Sequence, residues 1–488
     1  MDKAQIITLF ANTLNPEPEC RKRAEVTLNQ MKKITGFPSV LVEILKTNDE
    51  TNCPLPIKQS ASVYLKNLVS NSYRTDLEAL DQAKEFSIHE NDKEFLRENV
   101  LEAVVVVPDQ IRNQLAVVIN KMIKADYDTG KWQNDLNQKI LDFIQNENST
   151  PHMWLAALIA LLQLTKVFEY KSEKERSLLL NAMQTFLPVM LDVSNKLIED
   201  NTSNAQLLQK YILKIFFALS QYNLPQSILQ NQIDRWMIIF QKVLEAPVPA
   251  ESAELDEEDR LELPHWKAKK WALHIITRLF ERYGAPGSVE DEYEEFAKFF
   301  LENCAVPLLN IQMGILVKKR NGEWVSPRVI QLILTYLTQS VNHAKTWECL
   351  KGEVFGTMLK ELLFPLMCFT EEDAELWEDD PEEYIRIKFD VFEEMTNPKS
   401  AAEDFLSIAT TKRKGPLTIA MQFVQGLLVE TDSLSAAQYD GVFNLICSLS
   451  DQLMKKKPYK NQIDQLTTNF FIPLCTREQG YRSCRNWV

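Results

Sequence analysis

Glycine is scarce in this sequence, with 12 glycines among 488 residues, far below the roughly 7% of average usage. Sheets and αβ crossovers depend on turn glycines, whereas helices disfavour them. Hydrophobic residues make up 45% of the chain, which is ample for a large core. The sequence therefore predicts an all-α protein, with a length that fits about three ordinary domains or one extended array.

Motifs of common catalytic and metal sites are also missing. The chain has no G-x-x-x-x-G-K-[ST], H-E-x-x-H, G-x-S-x-G or G-x-G-x-x-G. Its five histidines are far apart, and its eight cysteines form no C-x-x-C pair, so neither a zinc cage nor a disulfide framework is indicated. We expect no enzyme, no cofactor and a reducing compartment. An enzyme would need a site without a known motif, which turnover of a small substrate would reveal.

Long uncharged apolar runs are missing as well. No run approaches 18 such residues, and the opening MDKAQIITLFANTL lacks the parts of a signal peptide. The balance of 54 basic and 68 acidic residues gives a net charge of −14. This charge repels nucleic-acid phosphates and anionic membranes and favours basic partners. We therefore expect a soluble chain with no membrane insertion and no direct nucleic-acid binding.

Apolar segments of helical period follow one another in pairs. Many second members open with a proline, at Pro56, Pro108, Pro151, Pro264 and Pro327, and proline suits the first helical position. In one of them Ile111, Leu115, Val118 and Met122 form a single stripe. The pattern resembles degenerate HEAT or armadillo repeats of about 40–47 residues, which stack into a superhelix (an α-solenoid). The valines at 104–107 favour a strand locally, but we interpret them as the end of a helix closed by Pro108.

One helix, predicted over residues 55–73, has an unusual polar side. Its apolar face holds Ile57, Ala61, Tyr64, Leu65 and Leu68, and its other face has a compact stripe of Gln59, Ser62, Lys66 and Asn67. A solvated helix face more often mixes long charges of both signs. The stripe therefore suggests either a partner surface or a structural role, in which Lys66 covers the core and Asn67 holds a neighbouring loop.

Two acidic segments interrupt the array, and we expect both to be loops or turns. Residues 251–262 hold seven acids against one arginine, and residues 371–383 hold nine acids and no base. They are either solvated connectors or an attractive surface for a basic partner. The candidate partner-facing residues are Asp256, Glu257, Glu258, Asp259, Glu371, Glu372, Asp373, Asp379 and Asp380.

Several segments carry a family resemblance. AEVTLNQ at 24–30 and IKQSASVYLKNLV at 57–69 resemble the importin-β (karyopherin-β) amino-terminal domain, and LWEDDPEEYIR at 376–386 is similar to the importin-7 and importin-8 group of that family. Members of this group are roughly twice as long, so the chain resembles an amino-terminal half with a divergent tail from about Cys475. Tyr73 stands where the superfamily often has tryptophan, and we expect a change of packing without loss of the fold.

The resemblance implies a nuclear transport receptor that shuttles between cytoplasm and nucleus through the nuclear pore. Its implied partners are Ran GTPase in the GTP state, basic cargo such as ribosomal proteins or histones, Phe-Gly nucleoporins and importin-β itself. Ran would meet the first repeats, with Gln59, Ser62, Lys66 and Asn67 as candidate contacts, and would release the cargo. The implied domains are 1–101 (importin-β amino-terminal), 102–474 (HEAT array) and 475–488 (divergent tail).

The helical repeats also fit a second class of function. A helical-repeat scaffold without a transport role, such as a phosphatase or vesicle-coat adaptor, would share the repeats and the acidity but would not need the amino-terminal motifs.

The last predicted helix, residues 461–474, carries Ile463, Leu466, Phe470 and Phe471 with little sequence after it to cover them. We expect an exposed apolar patch there, because repeat arrays normally close with a polar capping repeat.

Overall fold

The computed structural model describes residues 2–73, 86–388, 390, 395–429, 434–455, 457–468 and 472. All regular elements within these ranges are helices, and no strand occurs among them. This confirms the predicted all-α class. The chain divides into two compact units, Met1–Trp236 and Met237–Val488.

The first unit contains eleven of the described α-helices and the start of a twelfth. They are α1 Lys3–Thr13, α2 Pro18–Met31, α3 Phe37–Lys46, α4 Leu55–Ser72, α5 Glu90–Val106, α6 Asp109–Asp126, α7 Gln133–Gln145, α8 Pro151–Phe168, α9 Glu173–Ile198, α10 Ser203–Leu219, α11 Gln226–Asn231 and α12 Ile233–Glu245, which contains the boundary between the units.

The second unit continues with shorter and more varied helices. Its α-helices are α13 Glu257–Glu262, α14 Pro264–Tyr283, α15 Glu294–Phe299, α16 Ala305–Arg320, α17 Pro327–Val341, α18 Ala344–Trp347, α19 Glu353–Met358, α20 Phe364–Met367, α21 Glu371–Asp379, α22 Pro381–Lys388, α23 Pro398–Lys412, α24 Pro416–Val429, α25 Ala436–Lys455 and α26 Lys457–Leu466. Two 3₁₀ segments, Ala250–Glu254 and Asp291–Tyr293, and two π segments, Phe300–Cys304 and Leu359–Leu363, complete the described elements.

Alternate helices pack against one another in both units. In the first unit α4, α6, α8 and α10 pack in series, and in the second α14, α17, α23 and α25 do so. The intervening helices provide the other member of each pair, which is the arrangement of HEAT-like repeats. The predicted stripe of α6 is confirmed, because Ile111, Leu115, Val118 and Met122 are all fully buried.

Prolines open these helices, with one exception to the prediction. Pro56, Pro151, Pro264 and Pro327 lie in the first turn of their helices, whereas Pro108 is the N-cap residue, extended at ψ 162°, and α6 begins at Asp109. The valine run is helical through Val106, as predicted.

The expectation that the acidic segments are loops or turns holds for the 3₁₀ turn Ala250–Glu254 but is wrong for the α-helical parts that follow. Residues 250–262 form a 3₁₀ turn and α13, and residues 371–388 form α21 and α22. Asp256 Oδ1 accepts from the Asp259 amide at 2.9 Å, and Thr370 and Asp373 form a reciprocal capping box. Acidic side chains in a first turn also complement the positive end of the helix dipole. Their position at helix starts explains why these segments are ordered as helices.

Two helical stretches have the length and hydropathy of a membrane span, Pro151–Phe168 and Asp291–Arg320. Within the structure 61% and 44% of these windows are buried. Burial of this kind is typical of core helices, so length and composition alone are weak evidence for a span.

At the carboxyl-terminal end of the chain, Phe470, Phe471 and the predicted tail 475–488 lie outside the described residues.

Candidate functional site

Helix α4 presents the polar stripe that the sequence singled out, but the stripe is narrower than predicted. Ile57, Ala61, Leu65 and Leu68 are buried as expected. Ser62 is also buried, with only 1% of its surface exposed, and its hydroxyl donates to the Gln59 carbonyl at 2.7 Å. The prediction that Ser62 belongs to an exposed stripe is therefore wrong, because the hydroxyl is used within its own helix.

The other three stripe residues remain at the surface. Gln59 Nε2 donates to Gln110 Oε1 at 2.6 Å and so joins α4 to α6. Lys66 is half-buried and Asn67 is exposed. Within the part of the chain that the structure describes, neither side chain makes a hydrogen bond. The hydrogen bond from Asn67 to a neighbouring loop, which a structural role would require, is therefore not found among these residues.

Further lysines lie on the two helices that follow α4 in the packed series, α6 and α8. We define the lysine face as Lys66 of α4, Lys121 and Lys124 of α6, and Lys166 of α8, all at the surface. A hydrogen bond from Asn120 Nδ2 to Gln163 Oε1 at 3.3 Å joins α6 to α8 on this side.

The three helices carry acids only at the two ends of α6. Asp109 is ion-paired with Arg112, and Asp126 is buried and ion-paired with Arg97 at 2.7 Å. A chain of net charge −14 therefore has a local positive surface. Lys121, Lys124 and Lys166 were not predicted from the sequence, because these lysines are dispersed along the chain on separate helices.

In the second unit the two acidic segments meet at one cleft of about 890 Å³. Glu257 and Leu261 of α13 form one side, and Thr370, Glu372 and Asp373 form another. The segments are more than one hundred residues apart in sequence, so their proximity could not be predicted from it. Asp256, Glu258, Asp259, Glu371, Asp379 and Asp380 are exposed and do not line the cleft.

The cleft itself is not strongly acidic, because cations lie among the carboxylates. Lys388 Nζ lies 2.7 Å from Asp373 Oδ1, Arg320 lies 3.4 Å from Glu361, and Lys399 lies 3.6 Å from the buried Asp440. Lys319 and Arg328 also line it. The unbalanced negative charge is therefore on the outer sides of the acidic helices.

An apolar slot of about 360 Å³ opens between α16 and α19 and shares Arg320 and Leu362 with the cleft. Its walls are mainly apolar, and Val317 and Val354 are 38% and 41% exposed. The lining residues are Met313, Leu316, Val317, Arg320, Glu353, Val354, Thr357, Met358 and Leu362. A slot of this kind can accept an apolar side chain from a partner.

Residues 24–106 match the family model of the importin-beta N-terminal domain, and residues 167–471 match the Cse1 model. The chain belongs to the importin-β family. It is 40% identical to importin-8 of mouse and of human over its whole length, covering 48% and 46% of those proteins. The chain therefore spans about half the length of the curated relatives it matches.

Solved structures support the fold of this importin-β family chain. The exportin Cse1 in its cargo-free, cytoplasmic state superimposes with a TM-score of 0.77 at 16% identity, covering 99% of this chain and 51% of Cse1. Yeast importin-β (Kap95p) gives a TM-score of 0.62 at 14% identity, covering all of this chain and 50% of its own. Both are helical-repeat transport proteins, in agreement with the predicted HEAT-like repeats.

Proposed function

We propose that this chain acts as a nuclear transport receptor that binds basic cargo and Ran-GTP, shuttles between cytoplasm and nucleus through the pore, and releases its cargo to Ran-GTP. Membership of the importin-β family is the observation that carries the proposal. Further support comes from fold neighbours whose complexes are known: Kap121p bound to RanGTP, with a TM-score of 0.50, and the Kap95:Nup1 complex, with a TM-score of 0.59.

The lysine face is the proposed Ran surface. Lys66 of this face and the adjoining Asn67 are at the surface and lie inside the amino-terminal family match. A partner that buries hydrogen bonds with them would lose on the order of 1–2 kcal/mol for each side chain removed, or about five- to thirty-fold in affinity. The fold would lose little, because these side chains lack hydrogen bonds among the described residues.

The matching experiment measures Ran-GTP affinity for Lys66→Ala and Asn67→Ala, with melting temperature measured in parallel. Lys351→Ala is the control, because it removes an exposed lysine from the second unit. Weaker binding at unchanged melting temperature supports the proposed surface. Unchanged Ran affinity with a lower melting temperature would show that Lys66 and Asn67 stabilise the fold and do not contact Ran.

The apolar slot is the proposed nucleoporin site, with a Phe side chain of a Phe-Gly repeat as occupant. Placing a carboxylate at its mouth by Val354→Asp should weaken binding of a Phe-Gly repeat peptide about tenfold, since a charge cannot be buried unpaired against an aromatic ring. Val26→Asp provides the control, because Val26 is similarly exposed (51%) on α2. Equal binding by both variants would place nucleoporin contact elsewhere.

Cargo would be attracted by the outer sides of the acidic helices. Their exposed carboxylates suit lysine-rich proteins such as ribosomal proteins or histones, and such attraction weakens as salt shortens the Debye length. Importin-β remains a further proposed partner. A chain that binds basic proteins but neither Ran nor Phe-Gly repeats would favour the scaffold alternative.

A further inference from the structure

Helices α21 and α22, residues 371–388, which we name the acidic hairpin, lie at the surface of the second unit, where the Tyr384 ring packs 6.0 Å from the ring of Phe369. Neither helix contains a buried residue. Thr370 just before the hairpin, and Glu372, Asp373 and Lys388 within it, line the 890 Å³ cleft. A segment with no buried side chain opens at low cost. The acidic hairpin therefore has the properties of a movable wall of the cleft.

Few contacts hold the two helices of the hairpin together. The rings of Trp377 and Tyr384 meet edge to face, with centroids 5.3 Å apart. Lys388 lies over the Tyr384 ring at 5.5 Å and places its ammonium 2.7 Å from Asp373 Oδ1. Asp373 Oδ2 also accepts from the Thr370 amide at 3.1 Å. The Lys388–Asp373 pair thus joins the end of the hairpin to its beginning.

Asp373 is the most shielded of the ion-paired acids of the hairpin, ahead of Glu383 at 32% exposure. The side chains of Asp373 and Lys388 are 17% and 24% exposed, whereas Glu371, Glu372, Asp379 and Asp380 are exposed. A shielded carboxylate interacts more strongly with an ammonium group than a solvated one does. Asp373 is accordingly the strongest lysine acceptor of the hairpin, and the chain's own lysine occupies it.

We propose that the acidic hairpin is a lid over the cleft and that Lys388 is its latch, an internal competitor for the carboxylate that a lysine of a basic partner would take. The inference rests on the proposed binding of basic cargo. When a partner lysine replaces Lys388 at Asp373, the hairpin loses its end-to-end ion pair and opens. On the acidic helix α13 opposite, Glu257 accepts from Trp324 Nε1 at 3.3 Å.

Hydrogen exchange of the full chain tests the lid without any partner. Lys388→Met should speed amide exchange across residues 371–388 by about three- to tenfold, which corresponds to loss of a partly shielded ion pair. Lys388→Arg keeps the charge and should restore slow exchange. Unchanged exchange in Lys388→Met would show that the pair does not hold the hairpin, and would overturn the proposal.

An oligolysine peptide tests the competition. Lys388→Met should bind it several-fold tighter than Lys351→Met, a control that removes the same charge from the exposed Lys351–Glu348 pair of the same unit. Equal affinity of the two variants would mean that only net charge matters, and would overturn the latch. Because neither assay involves Ran or nucleoporins, failure of the transport role would leave these results interpretable.

Discussion

Tyr73 connects α4 to the end of α6 through one short hydrogen bond. Its ring is 2% exposed, and its hydroxyl donates to Asp126 Oδ2 at 2.5 Å. Arg97 donates to the same oxygen at 2.7 Å and to Glu90 Oε1 at 2.8 Å. Tyrosine at this position packs as a buried aromatic in a fold that is retained, as expected, and adds a polar contact that the sequence did not reveal.

Removing that hydroxyl should destabilise the first unit. Tyr73→Phe keeps the ring but takes one donor from the buried Asp126 carboxylate, which should lower the free energy of unfolding by about 1.5–3 kcal/mol. Urea unfolding measures the loss. Tyr170→Phe, at a ring that is 74% exposed, should have no measurable effect. Equal stability of the two variants would contradict the importance of the hydrogen bond.

His274 should make the second unit sensitive to acid. Burial, with Arg328, Lys270 and Arg278 nearby, lowers the pKa of His274 from 6.5 to about 4. Between pH 6.5 and pH 4 the unfolded chain binds a proton at His274 that the native chain does not bind. The free energy of unfolding therefore decreases as the pH falls from about 6.5 towards 4. His274→Gln should reduce the loss of unfolding free energy between about pH 7 and pH 5 by on the order of 1 kcal/mol. The same pH dependence in both proteins would contradict this.

At the scale of a single element, charge pattern alone did not predict that the two acidic segments contain helices. Runs of carboxylates suggested loops, but Asp256 and Thr370 start helices whose first turns hold the acids. The patterns D-x-x-D at 256–259 and T-x-x-D at 370–373 are typical of helix starts, whereas a run of acids is more typical of a solvated connector. Long amphipathic helices such as α6 and α17 were predictable, because their burial follows a regular period.

Neutralising the outer carboxylates of α21 tests the role of this element. Asp373 and Asp380 are better left intact, because Asp373 pairs with Lys388 and Asp380 Oδ1 caps α22 through the Glu383 amide at 3.0 Å. The triple variant Glu371→Gln, Glu372→Gln, Asp379→Asn should slow association with a lysine-rich protein several-fold at low salt, and little at high salt. Stopped-flow kinetics measures this. The charge-matched control neutralises the exposed Glu295, Glu302 and Glu323, and equal rates for both would make the acidic helices mere connectors.

At the scale of the whole molecule, sequence predicted the class and the repeats but not the surfaces. Helical period, scarce glycine and N-terminal prolines are local signals, and the structure confirms what they predicted. The meeting of α13 and α21 at one cleft, and the presence of Lys66, Lys121 and Lys166 on helices that pack in series, depend on how repeats stack. Stacking geometry is set by side-chain packing between distant segments, which a single sequence does not display.

Exposed apolar side chains in the second unit predict weak self-association of the chain. Val429, Met454 and Ile472 are 85%, 55% and 53% exposed, and Phe470 and Phe471 of the predicted apolar patch lie outside the described residues. Exposed apolar groups gain roughly 25 cal/mol per Å² when buried against another copy. Light scattering should show an average mass that rises with concentration, and a clean monomer throughout would count against the patch.

Binding of Ran in its two nucleotide states tests the proposed transport role most directly. A receptor unloaded by the nuclear nucleotide gradient must prefer one state, since a ligand shifts an equilibrium only by its differential affinity. Calorimetric titration of the full chain with Ran-GTP and with Ran-GDP should show binding at least about tenfold tighter for Ran-GTP, a difference of about 1.4 kcal/mol. Equal binding of both states, or binding of neither, would contradict the role of this chain as a transport receptor.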